Sequence, residues 1–290
     1  MANAHGRSID KTFLSLDKAE ERGIIHRDYI AHCLRWSHVA MYLRRKNRYK
    51  CSNILDIGPG KEIPLAKTLY VNRTTPKSYT AVDVSKLEMP AMFDKASWKP
   101  TRLISKMDIC ELDPMEFDTA PNIITCFEVV EHVEPAHSRR ILEKMYDLLN
   151  STDSSACVFL STPNWDPKVG AAGNHVNEMK HQALGAVIED IGFNIEARYG
   201  TFASQKDIKP FMTEEELSLM EKMKEYYDSN YVSTIFAPLF PEVSRNCIWR
   251  LSRNKQEKKY PCLSDVEEPW TSSEKWKELN GQLSTLHSQE

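Results

Sequence analysis

The sequence predicts an α/β fold in which a mostly parallel sheet carries helices on both faces. Short apolar runs alternate along the chain with amphipathic segments of helical spacing, the order that places parallel strands side by side. Four of these runs are followed by an acidic residue at or near their ends, and the first also leads into a glycine-rich turn. The runs lie at about residues 51–57, 78–84, 103–107 and 121–127.

The glycine-rich turn after the first strand is the most informative single segment. It reads Asp56-Ile57-Gly58-Pro59-Gly60, and a helical pattern follows over residues 62–71. Glycine has no Cβ, so the backbone can approach a ligand closely, and the helix directs its first N–H groups toward the turn. Ile63 replaces the third glycine of a dinucleotide fingerprint, and Glu62 would repel a pyrophosphate. A ligand with a ribose and a cationic or zwitterionic end fits better, although a turn that binds nothing remains an alternative.

Acids at the ends of the later strands favour a nucleoside ligand. Asp83 lies twenty-seven positions after Asp56, where a carboxylate can accept both hydroxyls of a ribose. Asp108 follows the third strand, where it could accept an adenine amino group, and Glu128 follows the fourth. Each acid alone could be a solvated strand end. Four at successive strand ends indicate one binding edge, because ligands of open α/β sheets bind where the strands end.

Together these motifs resemble the class I S-adenosylmethionine (SAM)-dependent methyltransferases, and within them the ubiquinone-pathway O-methyltransferases. The resemblance covers about residues 50–203 and also rests on residues 127–133 and on Ser161-Thr162-Pro163-Asn164. It implies a Rossmann-like seven-stranded sheet with a reversed last hairpin, and SAM lying across the carboxyl ends of the first strands. The cofactor-binding residues that it implies are Asp56, Gly58, Gly60, Asp83, Asp108, Ile109, Phe127 and Glu128.

A second candidate site lies after the fourth strand. A helix beginning there would turn Glu128, Glu131 and His132 toward one region, and His175 on a later loop could join them. Two carboxylates and imidazole are suitable ligands for Mg²⁺ or Mn²⁺, and the resembled subgroup is known to bind a metal at this kind of motif. Alternatively, Glu128 only contacts the cofactor and a histidine acts as a metal-free base. The predicted catalytic residues are His132, His175 and Glu131.

The acceptor atom is predicted to be oxygen. DNA enzymes that methylate amino groups carry an Asp/Asn-Pro-Pro-aromatic motif where this chain has Phe127-Glu128-Val129-Val130. Enzymes that methylate cytosine at C5 need a nucleophilic cysteine in a Pro-Cys pair, and the only such pair here is Pro261-Cys262, near the carboxyl terminus. We therefore expect an enzyme that methylates a small-molecule or sugar-like substrate. An O-methyltransferase for RNA or modified nucleic acid is one alternative. A non-catalytic partner protein with the same fold is another.

The composition sets broad limits on the protein. With 290 residues and a net charge of −3, the chain has room for one such domain with additions and has no global attraction to nucleic acid. Its seven cysteines form no Cys-x-x-Cys pair, which favours free thiols in a reducing compartment. No apolar run reaches the ~20 residues of a membrane span, so we expect a cytoplasmic protein.

Residues 29–55 are a basic exception to this weak charge, because they contain no Asp or Glu. They could hold an anionic substrate or nucleic-acid phosphates, or they could be a solvated helix end. The basic residues are Arg35, Arg44, Arg45, Lys46, Arg48 and Lys50.

Three parts are expected along the chain. Residues 1–50 read as an N-terminal helical cap, residues 51–253 as the methyltransferase domain, and residues 254–290 as a polar C-terminal tail. The domain contains a helical insertion before its last strand, at about residues 206–241. Aromatic residues of the insertion could form a wall of the substrate site or a small satellite core. The expected anchors of the tail are Trp270 and Trp276.

Overall fold

A computed structural model describes residues 27–168, 170–254, 257–267 and 269. In this part of the chain seven strands form one sheet in the order β3-β2-β1-β4-β5-β7-β6. The strands are β1 (Asn53–Ile57), β2 (Ser78–Asp83), β3 (Arg102–Ser105), β4 (Ile123–Phe127), β5 (Cys157–Pro163), β6 (Asn194–Phe202) and β7 (Asn246–Ser252).

The sheet confirms the predicted Rossmann-like fold with a reversed last hairpin. β1 pairs in parallel with β2 and β4, and the parallel pairing continues to β3 and β5. Only β7 runs the other way, between β5 and β6. The carboxyl ends of β1 to β6 therefore meet at one edge, where β7 begins. We call this edge the carboxyl edge and the opposite one the amino edge.

Helices cover both faces because the central strands are apolar on both sides. One face packs against α1 (Arg27–Arg44) and α2 (Pro64–Val71), the other against α3 (Pro135–Leu148) and α4 (His181–Ile191). Adjacent residues of β1 point to opposite faces, so Ile54 joins the first core and Leu55 the second. Each fully buried side chain of this kind contributes about 1.5–3 kcal/mol through the hydrophobic effect.

The predicted helical insertion precedes β7. It contains α5 (Gln205–Ile208), α6 (Glu214–Met223) and α7 (Ser229–Phe236). A capping box starts α6, since the Thr213 and Glu216 side chains each accept the other's backbone N–H. Buried Ile208, Met220 and Phe236 form a satellite core, whereas Phe211, Tyr226 and Tyr227 are exposed. The insertion therefore carries the small core that was one of the two expectations for its aromatic residues.

Two details of the structure shape the carboxyl edge. β5 continues through Pro163, so its pairing with β7 reaches this edge. No α-helix starts directly after β4, where only a 3-10 turn over Val130–His132 forms.

Residues 257–267 cross the outside of α4. The backbone N–H groups of Lys259 and Tyr260 donate to the buried Glu189 carboxylate at 2.8 and 3.0 Å, and Leu263 and Val266 enter the core. These contacts anchor the described part of the predicted tail. Trp270 and Trp276, its expected anchors, lie outside the described residues. Among the helices of the described part, none is sufficiently long and apolar to span a membrane.

Candidate active site

The glycine turn lies at the carboxyl edge, between β1 and α2. Gly58 and Gly60 have φ of 62° and 72°, in the left-handed region that suits glycine. The Gly58 N–H donates to the Val82 carbonyl at 2.8 Å, which binds the turn to β2. A Cβ on Gly58 would lie 2.5 Å from Cγ2 of Val129. Glycine is therefore required by both the backbone conformation and the close approach of the segment after β4.

Asp83 connects the end of β2 to this turn. Its Oδ2 accepts the Gly60 N–H at 3.0 Å, and its Oδ1 accepts the Ser85 N–H at 2.8 Å. The residue is 8% exposed at the carboxyl edge. These two backbone donors fix the orientation of the carboxylate beside the glycine turn, where the sequence predicts a ribose.

The resemblance implies that Asp56 binds the cofactor, but its carboxylate forms hydrogen bonds inside the molecule and not at the carboxyl edge. The residue is 3% exposed, on the face covered by α1 and α2, and it accepts hydrogen bonds from the hydroxyls of Thr125, at 2.7 Å, and Tyr79. Burial and the Asp56 carboxylate hold the pKa of Tyr79 well above its usual value, so the phenol stays a donor. The side chain of Asp56 thus ties β1 to β2 and β4 inside the molecule.

Asp108 lies at the end of β3 and caps a short 3-10 turn. Its Oδ1 accepts the Cys110 N–H at 2.9 Å, and its Oδ2 lies 3.0 Å from Nε2 of His137 on α3. The Asp108 carboxylate is 29% exposed, so it remains open to a ligand. Ile109, by contrast, is 4% exposed with its side chain in the core, which leaves its backbone for any contact with a cofactor.

Asp108, Cys110 and His137 also lie close enough together for a metal, with one potential ligand atom of each within 4.8 Å of the others. Burial and the neighbouring carboxylate raise the pKa of the Cys110 thiol to about 11. A protonated thiol is a poor ligand, because the thiolate is the form that binds metals. This group therefore fits a metal less well than the one after β4.

Glu128 directly follows buried Phe127 and has a left-handed backbone with φ of 56°. Its carboxylate accepts from Ser161 Oγ at 2.7 Å and Asn246 Nδ2 at 2.9 Å, and lies 3.3 Å from the Arg35 guanidinium. Burial opposes ionisation, but Arg35, the nearby His32 and the two hydrogen bonds outweigh it, so the pKa of Glu128 falls to about 2. Glu128, with 14% of its side chain exposed, is thus a largely buried anion that joins α1, β5 and β7.

This environment corrects the expected metal cluster. The structure brings Glu131, His132 and His175 together, with one potential ligand atom of each within 4.8 Å of the others, but Glu128 is not part of that group. The reason is the left-handed backbone at residue 128, which breaks the helical spacing that would have aligned the two glutamates. Glu131 is completely buried and accepts from Thr162 Oγ1 at 3.1 Å.

The loop after β5 fixes both histidines. Its backbone N–H groups at Val176 and Asn177 donate to the Glu131 carbonyl at 2.9 and 3.1 Å, which places His175 beside the 3-10 turn. The imidazole rings of His132 and His175 then meet edge to face with centroids 4.8 Å apart. The cluster is therefore built by backbone contacts between two segments that are distant in sequence.

The partners of the rings assign their tautomers. Nδ1 of His132 lies 3.1 Å from the Asn174 carbonyl, which can only accept, so this nitrogen is the donor. Nδ1 of His175 lies 2.6 Å from the Glu178 carboxylate and donates likewise. In both neutral rings Nε2 then carries the lone pair, the form that accepts a proton or coordinates a metal. Asn174 and Glu178 were not predicted as partners of the rings, and their only signal in the sequence is that they lie one and three positions from His175.

The basic stretch proves to have two separate parts. Arg35 lies within α1 and reaches Glu128 at the carboxyl edge, with only 3% of its side chain exposed. The other basic residues lie at the end of α1 and in the following 3-10 turn Arg45–Cys51, just before β1 starts at the amino edge. Five residues of β1 separate the edges by about 17 Å at the usual rise of a strand. The six basic residues therefore do not form one cluster, and most of those near the amino edge are exposed, as in the alternative of a solvated helix end.

The residues present fit both predicted groups. The glycine turn offers a cradle that a Cβ would fill, Asp83 binds this turn, and Asp108 follows the end of β3, the strand next to β2, which suits a nucleoside such as that of SAM. One carboxylate and two imidazoles are a suitable donor set for a divalent transition metal such as Mn²⁺. The Thr162 hydroxyl donates to Glu131, and the Glu178 carboxylate accepts from His175. Such hydrogen bonds orient the ligands in known metal sites.

Comparison with known proteins agrees with this geometry. Residues 35–198, more than half of the chain, match a family described as a methyltransferase domain. No curated protein matches the chain in sequence.

Solved structures of methyltransferases have a similar fold at low identity. Magnesium protoporphyrin IX methyltransferase from Synechocystis PCC 6803 is 12% identical with a TM-score of 0.51, over 87% of this chain and 91% of that one. A SAM-dependent methyltransferase from Clostridium acetobutylicum ATCC 824 is 11% identical with a TM-score of 0.52, over 84% and 98%. A small-RNA methyltransferase is 15% identical with a TM-score of 0.51, and the match covers 88% of this chain but 27% of that larger one.

At these identities the solved structures show the fold, and the domain match shows the family. The seven-stranded sheet with helices on both faces is consistent with both. The chain belongs to the methyltransferase domain family and has the fold of the SAM-dependent methyltransferases.

Proposed function

We propose that this enzyme transfers the methyl group of SAM to a hydroxyl oxygen of a small-molecule or sugar-like acceptor. The observation that carries the proposal is the cluster of Glu131, His132 and His175 at the carboxyl edge, with both histidines held as Nδ1–H donors. Such a cluster can remove a proton, and a hydroxyl acceptor must lose one. The earlier resemblance to ubiquinone-pathway O-methyltransferases supports the same acceptor atom.

The cofactor would lie across the glycine turn. In this proposal Gly58 and Gly60 provide the close backbone approach, Asp83 accepts the ribose hydroxyls and Asp108 accepts the adenine amino group. Ile109 and Phe127 would contribute their backbones, since both side chains are buried. Asp56 would act indirectly, by fixing the end of β1 through Tyr79 and Thr125. The ion pair of Glu128 and Arg35 would hold α1 over the site.

In the proposed reaction the acceptor oxygen forms a bond to the methyl carbon as the bond between that carbon and the sulfonium sulfur breaks. The hydroxyl proton goes to Nε2 of His132 or His175. Glu178 stabilises the imidazolium that forms on His175, because its carboxylate already accepts from Nδ1 of that ring. Buried Glu131 provides a second negative charge, since its Oε1 lies 3.9 Å from Nε2 of His132.

We further propose that Glu131, His132 and His175 hold Mg²⁺ or Mn²⁺. A divalent cation, when bound, lowers the pKa of a hydroxyl that coordinates it and so prepares the oxygen for attack. Glu128, which the sequence had included among the ligands, is left out because Arg35, Ser161 and Asn246 already bind its carboxylate. If the cation is not needed, the two histidines retain the role of base.

Fewer observations support a nucleic-acid acceptor than a small-molecule acceptor. Apart from Arg35, the basic residues between positions 29 and 55 lie near the amino edge, on the far side of the sheet from the proposed methyl-transfer site. A polyanion bound there would have to extend across the whole sheet to reach His132. The small-RNA methyltransferase shares the fold alone with this chain, so its substrate does not transfer.

One experiment tests both the class of acceptor and the need for a divalent cation. Purified protein is incubated with methyl-labelled SAM and either fractionated metabolites or total RNA, with and without EDTA, while S-adenosylhomocysteine binding is measured by calorimetry. We expect label in a metabolite fraction, loss of transfer in EDTA with retained binding, and recovery with Mn²⁺ or Mg²⁺. Glu131→Gln should lose transfer, whereas Glu143→Gln, on the solvent side of α3, should keep it.

Each arm can contradict one part of the proposal. Label in RNA alone would replace the small-molecule acceptor. Full transfer in EDTA would exclude the cation but leave the histidines, and full transfer in the double variant His132→Ala/His175→Ala would remove the cluster from the mechanism. Asp83→Ala should weaken binding by roughly 1.5–3 kcal/mol for each charge-assisted hydrogen bond lost to the ribose. Unchanged affinity would contradict the cofactor assignment.

A further inference from the structure

A cavity of about 720 Å³ lies away from the glycine turn, between the first turn of α4, β6 and the segment around Tyr260. Its volume falls in the range of small-molecule sites. It borders the Asn164–Trp165 segment after β5 and the residues that precede β7. The walls that matter for its chemistry are Trp165, Lys180, His181, Arg198, Glu242 and Tyr260.

Arg198 is the charged group of this cavity. Only 7% of its side chain is exposed, and its guanidinium lies 4.9 Å from the centre of the Trp249 ring. It donates to the Tyr260 hydroxyl at 3.1 Å and forms an ion pair with Glu242, while its Nε has no hydrogen-bond partner within the described part of the chain. A buried guanidinium fixed by stacking is a preorganised fork for a planar carboxylate.

The partner of Arg198 is exposed to solvent. The Glu242 side chain is 78% exposed and lies just before β7, so it contacts the guanidinium from the solvent side. Because water solvates the Glu242 carboxylate, the contribution of this ion pair is reduced by solvent screening. Another carboxylate could therefore displace Glu242, and it would gain the aromatic contacts that Glu242 does not make.

A second wall also has unmatched polar groups. His181, in the first turn of α4, is 7% exposed and packs edge to face on Trp249 with ring centroids 5.6 Å apart. Neither ring nitrogen has a hydrogen-bond partner among the described residues. Buried polar groups are nearly always satisfied in native proteins, so those that are not indicate a missing ligand or water.

The charges of the cavity favour an anion. Arg198, Lys180 and Lys259 contribute three positive charges, and the amino terminus of α4 adds its positive dipole end. The opposing carboxylates in the lining are Glu196 and Glu242. Glu196 is already neutralised by Arg250, whose Nε lies 2.9 Å away. Displacement of Glu242 alone would leave the site with an excess of positive charge.

We propose that this cavity binds a small aromatic carboxylate, with the carboxylate on Arg198 in place of Glu242 and the ring between Trp165 and Tyr260. The aromatic walls distinguish this ligand from a simple inorganic anion, because stacking adds to the charge contact. The site is separate from the glycine turn, so its occupation does not depend on the proposed methyl-transfer reaction.

The probe is benzoate, titrated into the full-length protein and followed by calorimetry and by tryptophan fluorescence. Acetate and inorganic phosphate serve as controls for charge without a ring. We expect benzoate to bind more tightly than either control, and its Kd to be unchanged by saturating S-adenosylhomocysteine. Failure of benzoate to bind, equal or tighter binding of phosphate, or competition with S-adenosylhomocysteine would each overturn the proposal.

Two variants act in opposite directions. Glu242→Gln removes the competing carboxylate from an exposed position, so it should keep the fold and lower the Kd of benzoate by about two- to fivefold, the strength of an exposed ion pair. Arg198→Gln should raise the Kd by at least about tenfold, as expected for the loss of a charge-assisted pair. Glu143→Gln, on α3, is the matched control and should leave the Kd unchanged.

The Glu242 variant is decisive because the substituted side chain is itself 78% exposed and lies outside the core. An unchanged or higher Kd in Glu242→Gln would contradict displacement, even if Arg198→Gln failed to fold. Benzoate binding that survived in a folded Arg198→Gln protein would place the ligand elsewhere. Both results are independent of SAM binding and of turnover.

Discussion

Replacement of Gly58 by alanine tests the cofactor cradle at its tightest point. The residue has a left-handed φ of 62°, and an added Cβ would lie 2.5 Å from Cγ2 of Val129. The substitution therefore introduces two separate penalties, one in the backbone and one in packing. Both fall on the turn that is proposed to lie under SAM.

The two penalties can be estimated separately. A left-handed conformation costs an ordinary L-residue roughly 1–2 kcal/mol relative to the right-handed one. Insertion of a methyl group into a packed site typically costs about 1–3 kcal/mol more. We therefore expect Gly58→Ala to lower the free energy of unfolding by about 2–5 kcal/mol, a large part of the 5–15 kcal/mol of a typical domain.

A double-mutant cycle separates the steric term from the backbone term. Val129→Ala removes the methyl groups that the new Cβ would meet, so Gly58→Ala/Val129→Ala should recover about 1–3 kcal/mol relative to the sum of the single variants. The backbone penalty should remain. Free energies come from urea denaturation with linear extrapolation, and S-adenosylhomocysteine binding is measured on the folded variants.

Gly173→Ala is the matched control. This glycine does not have a positive φ, and no atom lies within 4 Å of the position that its Cβ would occupy. Its replacement should change stability by less than about 0.5 kcal/mol. The reasoning is refuted if Gly58→Ala behaves like this control, or if the Val129 substitution recovers nothing.

Two further substitutions test buried ionisable groups. Arg35→Met leaves the Glu128 carboxylate without its cation and should lower the free energy of unfolding by about 3–5 kcal/mol. Arg45 is exposed, so Arg45→Met should leave it nearly unchanged. Equal effects of the two substitutions would contradict a buried pair. Burial lowers the pKa of His181 to about 3, so between pH 6.5 and 3 the unfolded chain binds a proton that the folded protein does not. Stability should then fall as the pH drops, by about 1.4 kcal/mol per pH unit from this residue, or about 2 kcal/mol between pH 6.5 and 5. His181→Phe should remove that component in urea titrations at pH 7 and pH 5, and parallel pH profiles of the two proteins would disprove it.

The sequence predicts the sheet well because its information is local. Apolar runs, strand-end acids and the glycine turn each occupy a few consecutive residues, and the capping box before α6 and Gly192 after α4 are equally short signals. Elements that rest on such signals agree with the structure to within a few residues. The same holds for the reversed hairpin, which followed from the family resemblance.

The expectation that Glu128 belongs to the metal cluster was wrong because its position depends on distant parts of the chain. Its carboxylate is held by Ser161, 33 positions away, and by Asn246, 118 positions away. A non-glycine residue with left-handed backbone gives no local signal, so helical spacing was assumed where none exists. Asp56 illustrates the same limit, since Tyr79 and Thr125 lie on neighbouring strands.

Arg35 shows how a cluster in sequence can separate in space. It lies within one helix with Arg44, yet the length of that helix places the two at opposite edges of the sheet. Composition alone could not distinguish the residue that reaches Glu128 from those near the amino edge. His175 was predicted from its place on a later loop, but its partner Glu178, three positions further on, was not predicted.

The position of β7 between β5 and β6 has a consequence for biosynthesis. β6 joins the sheet only through β7, and the 43 residues between Phe202 and Asn246 must be translated first. At about 5–20 residues per second, the ribosome needs roughly 2–9 s to produce them. During that interval the edge of β5 remains unpaired, and such an edge can pair with other chains. A nascent chain stalled before residue 246 should therefore bind chaperones more strongly than one stalled well beyond Ser252.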